Sequence, residues 1–185
     1  AQLAAATNGM LFKDSNQAFS KIRNQLQQGY PEAVRLRRLA QETAWMAQRG
    51  QYNVPRLLQR NDKLTTMLAF SHFAESAMRA AHLCARSYAP YYKWLLHSTE
   101  QLPQGAELAA LLQKSTTLPL EQWETEIIAP VCAIIARQMK EQGISTQEES
   151  YMQVHAEAAA QQAALLEQKE VLVEKIARLE FSEFD

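Results

Sequence analysis

Glycine and aspartate are the scarce residues in this chain of 185: it has five glycines, and Asp14, Asp62 and Asp185 are its only aspartates. Phosphate-cradling loops, the Gly-x-Ser-x-Gly elbow and the dinucleotide fingerprint all need clustered glycines, because a backbone without Cβ lets a ligand come close. None of those spacings occurs. Three scattered aspartates exclude an Asp-x-Asp two-metal centre. The two cysteines, Cys84 and Cys132, lie far apart with no Cys-x-x-Cys spacing, which excludes a disulfide scaffold and a zinc knuckle and places the chain in a reducing cytoplasm. No apolar run approaches the ~20 residues of a membrane span. The N-terminus lacks the basic start and cleavage pattern of a secretory signal. Membrane partners, metals and cofactors are therefore not expected in this chain.

Alternating strand patterns are also missing, and helical spacing takes their place. With 47% hydrophobic and 21% charged residues, the composition is that of a helix-rich globular chain. The expected architecture is an all-α bundle around a long central helix, about residues 62–87. Asp62 caps its start, and Leu64, Met67, Leu68, Ser71, Ala74, Ala77, Met78, Ala81 and Cys84 recur at three- and four-residue steps. Small residues at Ala74, Ser76, Ala77, Ala80 and Ala81 let neighbours pack close on several sides.

Before this helix, Asp14 or Ser15 caps a segment carrying Phe19, Ile22 and Leu26, which ends at Gly29. Pro31 opens a second helix that buries Val34, Leu36, Leu39, Ala40, Ala44 and Met46, shows Arg35, Arg37, Arg38 and Glu42 outward, and stops at Gly50. Gly50 to Arg56 reads as a loop, because Pro55 disfavours helix at Val54. Pro90 opens a helix to Glu100, and Pro130 splits the 120–143 segment near Ala129. Ser145–Glu148 and Thr146–Glu149 form capping-box pairs for a long amphipathic C-terminal helix. Its heptad of Tyr151, Ala158, Leu165, Leu172 and Leu179 is half matched by polar positions, so a strong coiled coil is not predicted, although a homodimer through this helix stays open. The chain divides as a bundle, 1–144, and a C-terminal helix, 145–185, packed on the bundle or leading into a further domain.

Charge is distributed unevenly. Through Lys93 there are thirteen cations against five acids, and beyond it six against fifteen. Either the halves complement one another or the basic half meets an anionic small molecule or nucleotide. His72-x-x-Glu75 with Arg79 and His82 shares a helix face. A metal site needs a second such pair, and neither His97 nor His155 supplies one. Cys84 reads as a small core residue rather than a nucleophile. Arg86, Tyr88, Tyr91, Tyr92, Lys93 and Trp94 cluster aromatics with cations around Pro90. Such a set either stacks and pairs with an anionic ligand or wedges a helical corner.

Three stretches together carry a family resemblance: Ala6-Thr7-Asn8-Gly9 with Phe12 and Asp14; Gly50-Gln51-Tyr52-Asn53-x-Pro55-Arg56; and Arg86-x-Tyr88-x-Pro90-x-Tyr92-Lys93-Trp94 closing on Leu102-Pro103. Over about residues 1–142 the chain resembles the C-terminal helical domain of unknown function found in bacterial nucleotidyltransferase-like proteins, behind a polymerase-β-type catalytic head. The tail, Lys175-Ile176-x-x-Leu179-Glu180-Phe181-x-x-Phe184, resembles the opening of a second domain of unknown function. The head's Gly-Ser turn and metal-binding aspartates are absent, so no catalytic residue carries over, and Mg²⁺ and a nucleoside triphosphate would belong to a head preceding Ala1. The resemblance implies a non-catalytic accessory domain that contacts substrate or nucleotide through Gln51, Tyr52, Asn53, Arg56, Arg86, Tyr88, Tyr92, Lys93 and Trp94. The alternative is an interaction or oligomerisation module with a purely structural aromatic corner.

Overall fold

The computed structural model describes the backbone of residues 1–182 and the side chains of residues 1–172, so the Lys175–Phe184 tail motif lies outside the described side chains. Among the described residues there is no strand, and the chain is an all-α bundle. In order come α1 (Gln2–Thr7), α2 (Ala18–Gln27), α3 (Glu32–Trp45), a π-helical turn (Met46–Asn53), α4 (Val54–Gln59), α5 (Lys63–Cys84), α6 (Tyr92–Glu100), α7 (Gly105–Gln113), α8 (Ala129–Glu141) and α9 (Met152–Ser182). Short 3₁₀ turns and a second π turn, Glu124–Ile128, join α7 to α8.

The central helix α5 packs against α3, α4, α6, α7 and α8. Asp62 caps it as expected, its Oδ1 accepting from the Thr65 amide at 3.0 Å. From Ser76 onward it is buried almost all round, at Ser76, Ala77 and Ala80 through Cys84. Leu64, Met67 and Leu68, expected in the core, instead face outward. The core joins Leu36 and Leu39 of α3, Phe70 and Phe73 of α5, Leu108 and Leu112 of α7, and Ile135 and Met139 of α8. Trp123 closes one end, its ring 4.3 Å from that of Phe70. Full burial of a ring such as Phe73 contributes about 2–3 kcal/mol.

Gly50 does not end the second helix. The chain runs on from α3 through the π turn into α4, and Val54 keeps helical dihedrals (φ −56°, ψ −50°) directly before Pro55. Pro55 falls in the first turn of α4, where a missing N–H is tolerated. The glycine is required by packing: a Cβ on Gly50 would lie 2.3 Å from Phe73 Cδ2. Two positions on α3 exchange their expected roles, since Val34 is exposed and Arg35 is buried. Arg35 is fully paired there, donating to Glu32 Oε1 and Oε2, to the Leu83 carbonyl and to Gln142 Oε1.

At Pro130 the expected split is replaced by a change of helix type: the π turn Glu124–Ile128 runs into α8 with helical dihedrals at Ile128 and Ala129, and Pro130 falls in the first turn of α8, where a missing N–H is tolerated. The last helix begins later than its capping boxes imply. Ser145 is buried against His155 rather than capping, with 2.8 Å between Oγ and Nδ1. The cap comes from a distant residue, Gln51, whose Oε1 accepts from the Met152 amide at 2.8 Å. α9 then lies along α3, burying Met152, His155, Ala156, Ala159 and Ala163, so the heptad residues Tyr151, Leu165 and Leu172 point outward. Among the described residues no helix is long and apolar enough to cross a membrane.

Candidate functional site

The residues expected to bind substrate fall into two groups standing at different levels of α5. Gly50 meets Phe73 in mid-helix, whereas Arg86 follows the last residue, Cys84. Eleven residues separate these levels, about 16 Å of helix. In the first group Gln51 grips α9, its Nε2 donating to the Ser150 carbonyl at 2.8 Å and its Oε1 accepting from Met152. Arg56 lies over the Tyr52 ring, 3.4 Å from the centroid, and donates to the Tyr52 carbonyl. Asn53 closes the π turn, half-buried.

In the second group Arg86 adopts left-handed backbone (φ 54°) and forks onto Glu32 at 2.7 and 3.2 Å. The Tyr88 hydroxyl donates to the Leu26 carbonyl at 2.8 Å, and its ring stands edge-on to Tyr30 at 4.7 Å. Both residues therefore anchor the corner after α5 to α2 and α3. Tyr92, Lys93 and Trp94 are exposed on the first turn of α6. Trp94, with Tyr91, Pro90 and His97, faces Ala4 and Ala5 across a hollow of about 550 Å³ between α1 and α6.

A different arrangement gathers more chemistry. Arg38, Glu42 and Trp45 on α3 and Arg49 in the π turn face His72, Glu75, Ser76 and Arg79 on α5 across an open cleft of about 380 Å³. Arg49 lies over the Trp45 ring, 4.4 Å from its centroid, and reaches the Ser76 hydroxyl at 3.4 Å. Arg38 lies over the Tyr30 ring at 5.0 Å. Among the described residues neither Arg38 nor Arg49 makes an ion pair, while Arg79 is held by Glu75 at 2.7 Å. Burial pushes the Glu42 carboxyl up to about 7, with nearby Glu75 adding to the rise and the Ser76 hydroxyl, Arg79 and Arg49 opposing it. The cleft thus gathers three guanidiniums, one carboxylate paired with Arg79 and one carboxyl whose proton is held more tightly by burial.

The histidine constellation dissolves on inspection. His72 is exposed in the cleft and Glu75 is bound to Arg79. His82 is buried, hydrogen-bonded to Ser87 Oγ at 2.8 Å, and burial holds it neutral, down at about 4. Among the described residues no three His, Cys, Asp or Glu side chains come together to hold a metal. Burial also pushes the Cys84 thiol up to about 12, which removes it as a nucleophile.

Sequence reasoning passed over the α3–α5 cleft because each half reads as an ordinary solvated helix face. Positions 38, 41, 42, 45 and 49 keep helical spacing, as do 72, 75, 76 and 79, and nothing local says that the two stripes oppose each other. A tryptophan among the arginines of the first stripe was the available signal. The charge asymmetry is also informative: among the described ion pairs only Arg37–Glu167 joins the basic half to the acidic one. Internal complementarity therefore leaves most of the basic half's cations uncompensated.

Fold and cleft define an all-α domain with an open cleft lined by three arginines. Residues 1–95, just over half of the chain, match the family described as Domain of unknown function (DUF4037), and the chain belongs to that family. Every cleft residue lies within the matched stretch. No curated protein and no solved structure matches the chain.

Proposed function

We propose that this chain is a non-catalytic accessory domain of a nucleotidyltransferase-like protein, contacting the phosphate-bearing substrate or nucleotide through the α3–α5 cleft. The observation that carries the reading is the gathering of Arg38, Arg49 and Arg79 on one open cleft beside Trp45. Guanidiniums are planar, permanently charged and matched to oxyanions, and an indole edge beside them suits a base or sugar. Mg²⁺, nucleoside triphosphate chemistry and transfer itself would belong to a catalytic domain preceding Ala1. The exposed Tyr92, Lys93 and Trp94 are a second contact surface in this proposal, on the α1–α6 side.

The test is calorimetric titration of the chain with ATP and with inorganic phosphate. Arg38→Ala and Arg49→Ala should each weaken binding about tenfold, the loss expected for one charge-assisted contact, with the melting temperature nearly unchanged. If Arg86→Ala and Trp94→Ala weaken binding and the cleft variants do not, the contact surface is the corner instead. Absence of any binding refutes the ligand-contacting role. The chain alone, given Mg²⁺ and labelled ATP with acceptors, should transfer nothing.

A second reading makes α9 an association element, on the ground that Leu165, Val171 and Leu172 are exposed past its contact with α3. A sedimentation measurement showing a stable dimer would favour it.

A further inference from the structure

Glu42 is out of place in an anion site unless a proton accompanies it. Its Oε2 is fully enclosed and has no hydrogen-bond partner among the described residues. The side chain borders both the open cleft and a smaller pocket of about 50 Å³ beneath it, which share Arg38, Glu42 and Arg79. The carboxyl therefore sits at the point those two guanidiniums flank. A bare carboxylate against a bound oxyanion is repulsive, and more so where water is thinned out. A single proton on the carboxyl turns that repulsion into a short charge-assisted hydrogen bond.

Resting on the reading above, we propose that the α3–α5 cleft binds a phosphate-type oxyanion as a one-proton complex, with Arg38, Arg49 and Arg79 countering its charge and one proton shared between Glu42 and an anion oxygen. Glu42 is suited to supply that proton, since burial already places its carboxyl at about 7. The charged and titratable groups around it are Arg38 and Arg49 from its own side, and His72, Glu75 and Arg79 from α5. The amino group of Ala1 borders the lower pocket, and Ser87 contributes an uncharged hydroxyl there. Glu42, His72 and the Ala1 amine are all titratable groups, so the test must separate them.

Sulfate is the probe, because it does not titrate near neutrality and any proton taken up belongs to the protein. Calorimetry of the full chain at about pH 6 to about pH 8.5, in buffers of different ionisation enthalpy, should show uptake approaching one proton at the alkaline end. Affinity should fall about tenfold per pH unit above the Glu42 carboxyl's own range. Glu42→Gln should abolish both effects and keep alkaline affinity, since an amide donates without a proton from solution. His72→Gln and N-terminally acetylated chain should behave as the parent. A flat sulfate profile in the parent chain overturns the one-proton complex while leaving the arginine site standing. Dependence that survives Glu42→Gln but vanishes in His72→Gln or on acetylation overturns it in favour of that other group. If neither sulfate nor phosphate binds at any pH, the cleft is not an anion site and the underlying proposal falls with the inference.

Discussion

Gly50 lies flat against the ring of Phe73, so close that a Cβ would overlap three ring carbons at 2.3 to 2.9 Å. Two effects oppose each other in Gly50→Ala. Alanine favours helix by about 1 kcal/mol over glycine, but overpacking a fixed core typically costs about 1–3 kcal/mol. The clash involves a fully buried ring on a helix packed from several sides, so overpacking wins. Gly50→Ala should lower stability by about 1–2 kcal/mol in urea unfolding, and a stabilised variant would refute the close approach.

Glu32 holds two arginines at once, buried Arg35 and exposed Arg86. Hydrogen bonds from Arg35 lead in lowering its carboxyl to about 2, with Arg86 adding to the pull and burial opposing. The folded value lies below the unfolded one near 4.5, so the stabilisation is fully present above that value. It is lost as pH falls from about 4.5 toward 2. Since the side chain is more than a third exposed, screening limits the contribution to about 1 kcal/mol. Glu32→Gln should flatten the acid limb of the stability profile over that window. It should also destabilise the chain at neutral pH by about 2 kcal/mol or more, because Arg35 keeps a buried charge without its counter-ion.

Gln51 joins two parts of the chain a hundred residues apart by capping the first turn of α9. Gln51→Ala should cost about 1 kcal/mol, the usual worth of a helix cap. Amide exchange at Met152 and its neighbours should accelerate by about fivefold, with anion binding unchanged. Loss of anion binding without faster exchange would return Gln51 to a ligand-contacting role.

What the sequence made legible was whatever depends on near neighbours. The Asp62 cap and the central helix each follow from residues within one turn of one another. Gly50 misled because glycine ends helices and also lets elements meet closely, and only Phe73, 23 positions on, decides between the two. Arg35 misled for a similar reason, as its acceptors at Leu83 and Gln142 are 48 and 107 positions distant. The expected contact residues proved to be engaged with one another and with the scaffold at Gln51, Arg86 and Tyr88. The cleft needed two helices to be set side by side, which spacing within either helix cannot reveal.

The wide turn between α3 and α4 acts as a phase shifter. A π turn carries one residue more than the α-helix it interrupts, and each residue of an α-helix advances its faces by about 100°. Removing a single residue from Met46–Asn53 would let an uninterrupted α-helix form. Everything from α4 onward would then rotate relative to α3 by about that angle, turning the α5 wall of the cleft, His72 to Arg79, away from Arg38. In this fold, insertions and deletions of one residue at that turn are steering changes, able to rebuild or dismantle the arginine surface without altering any residue that forms it.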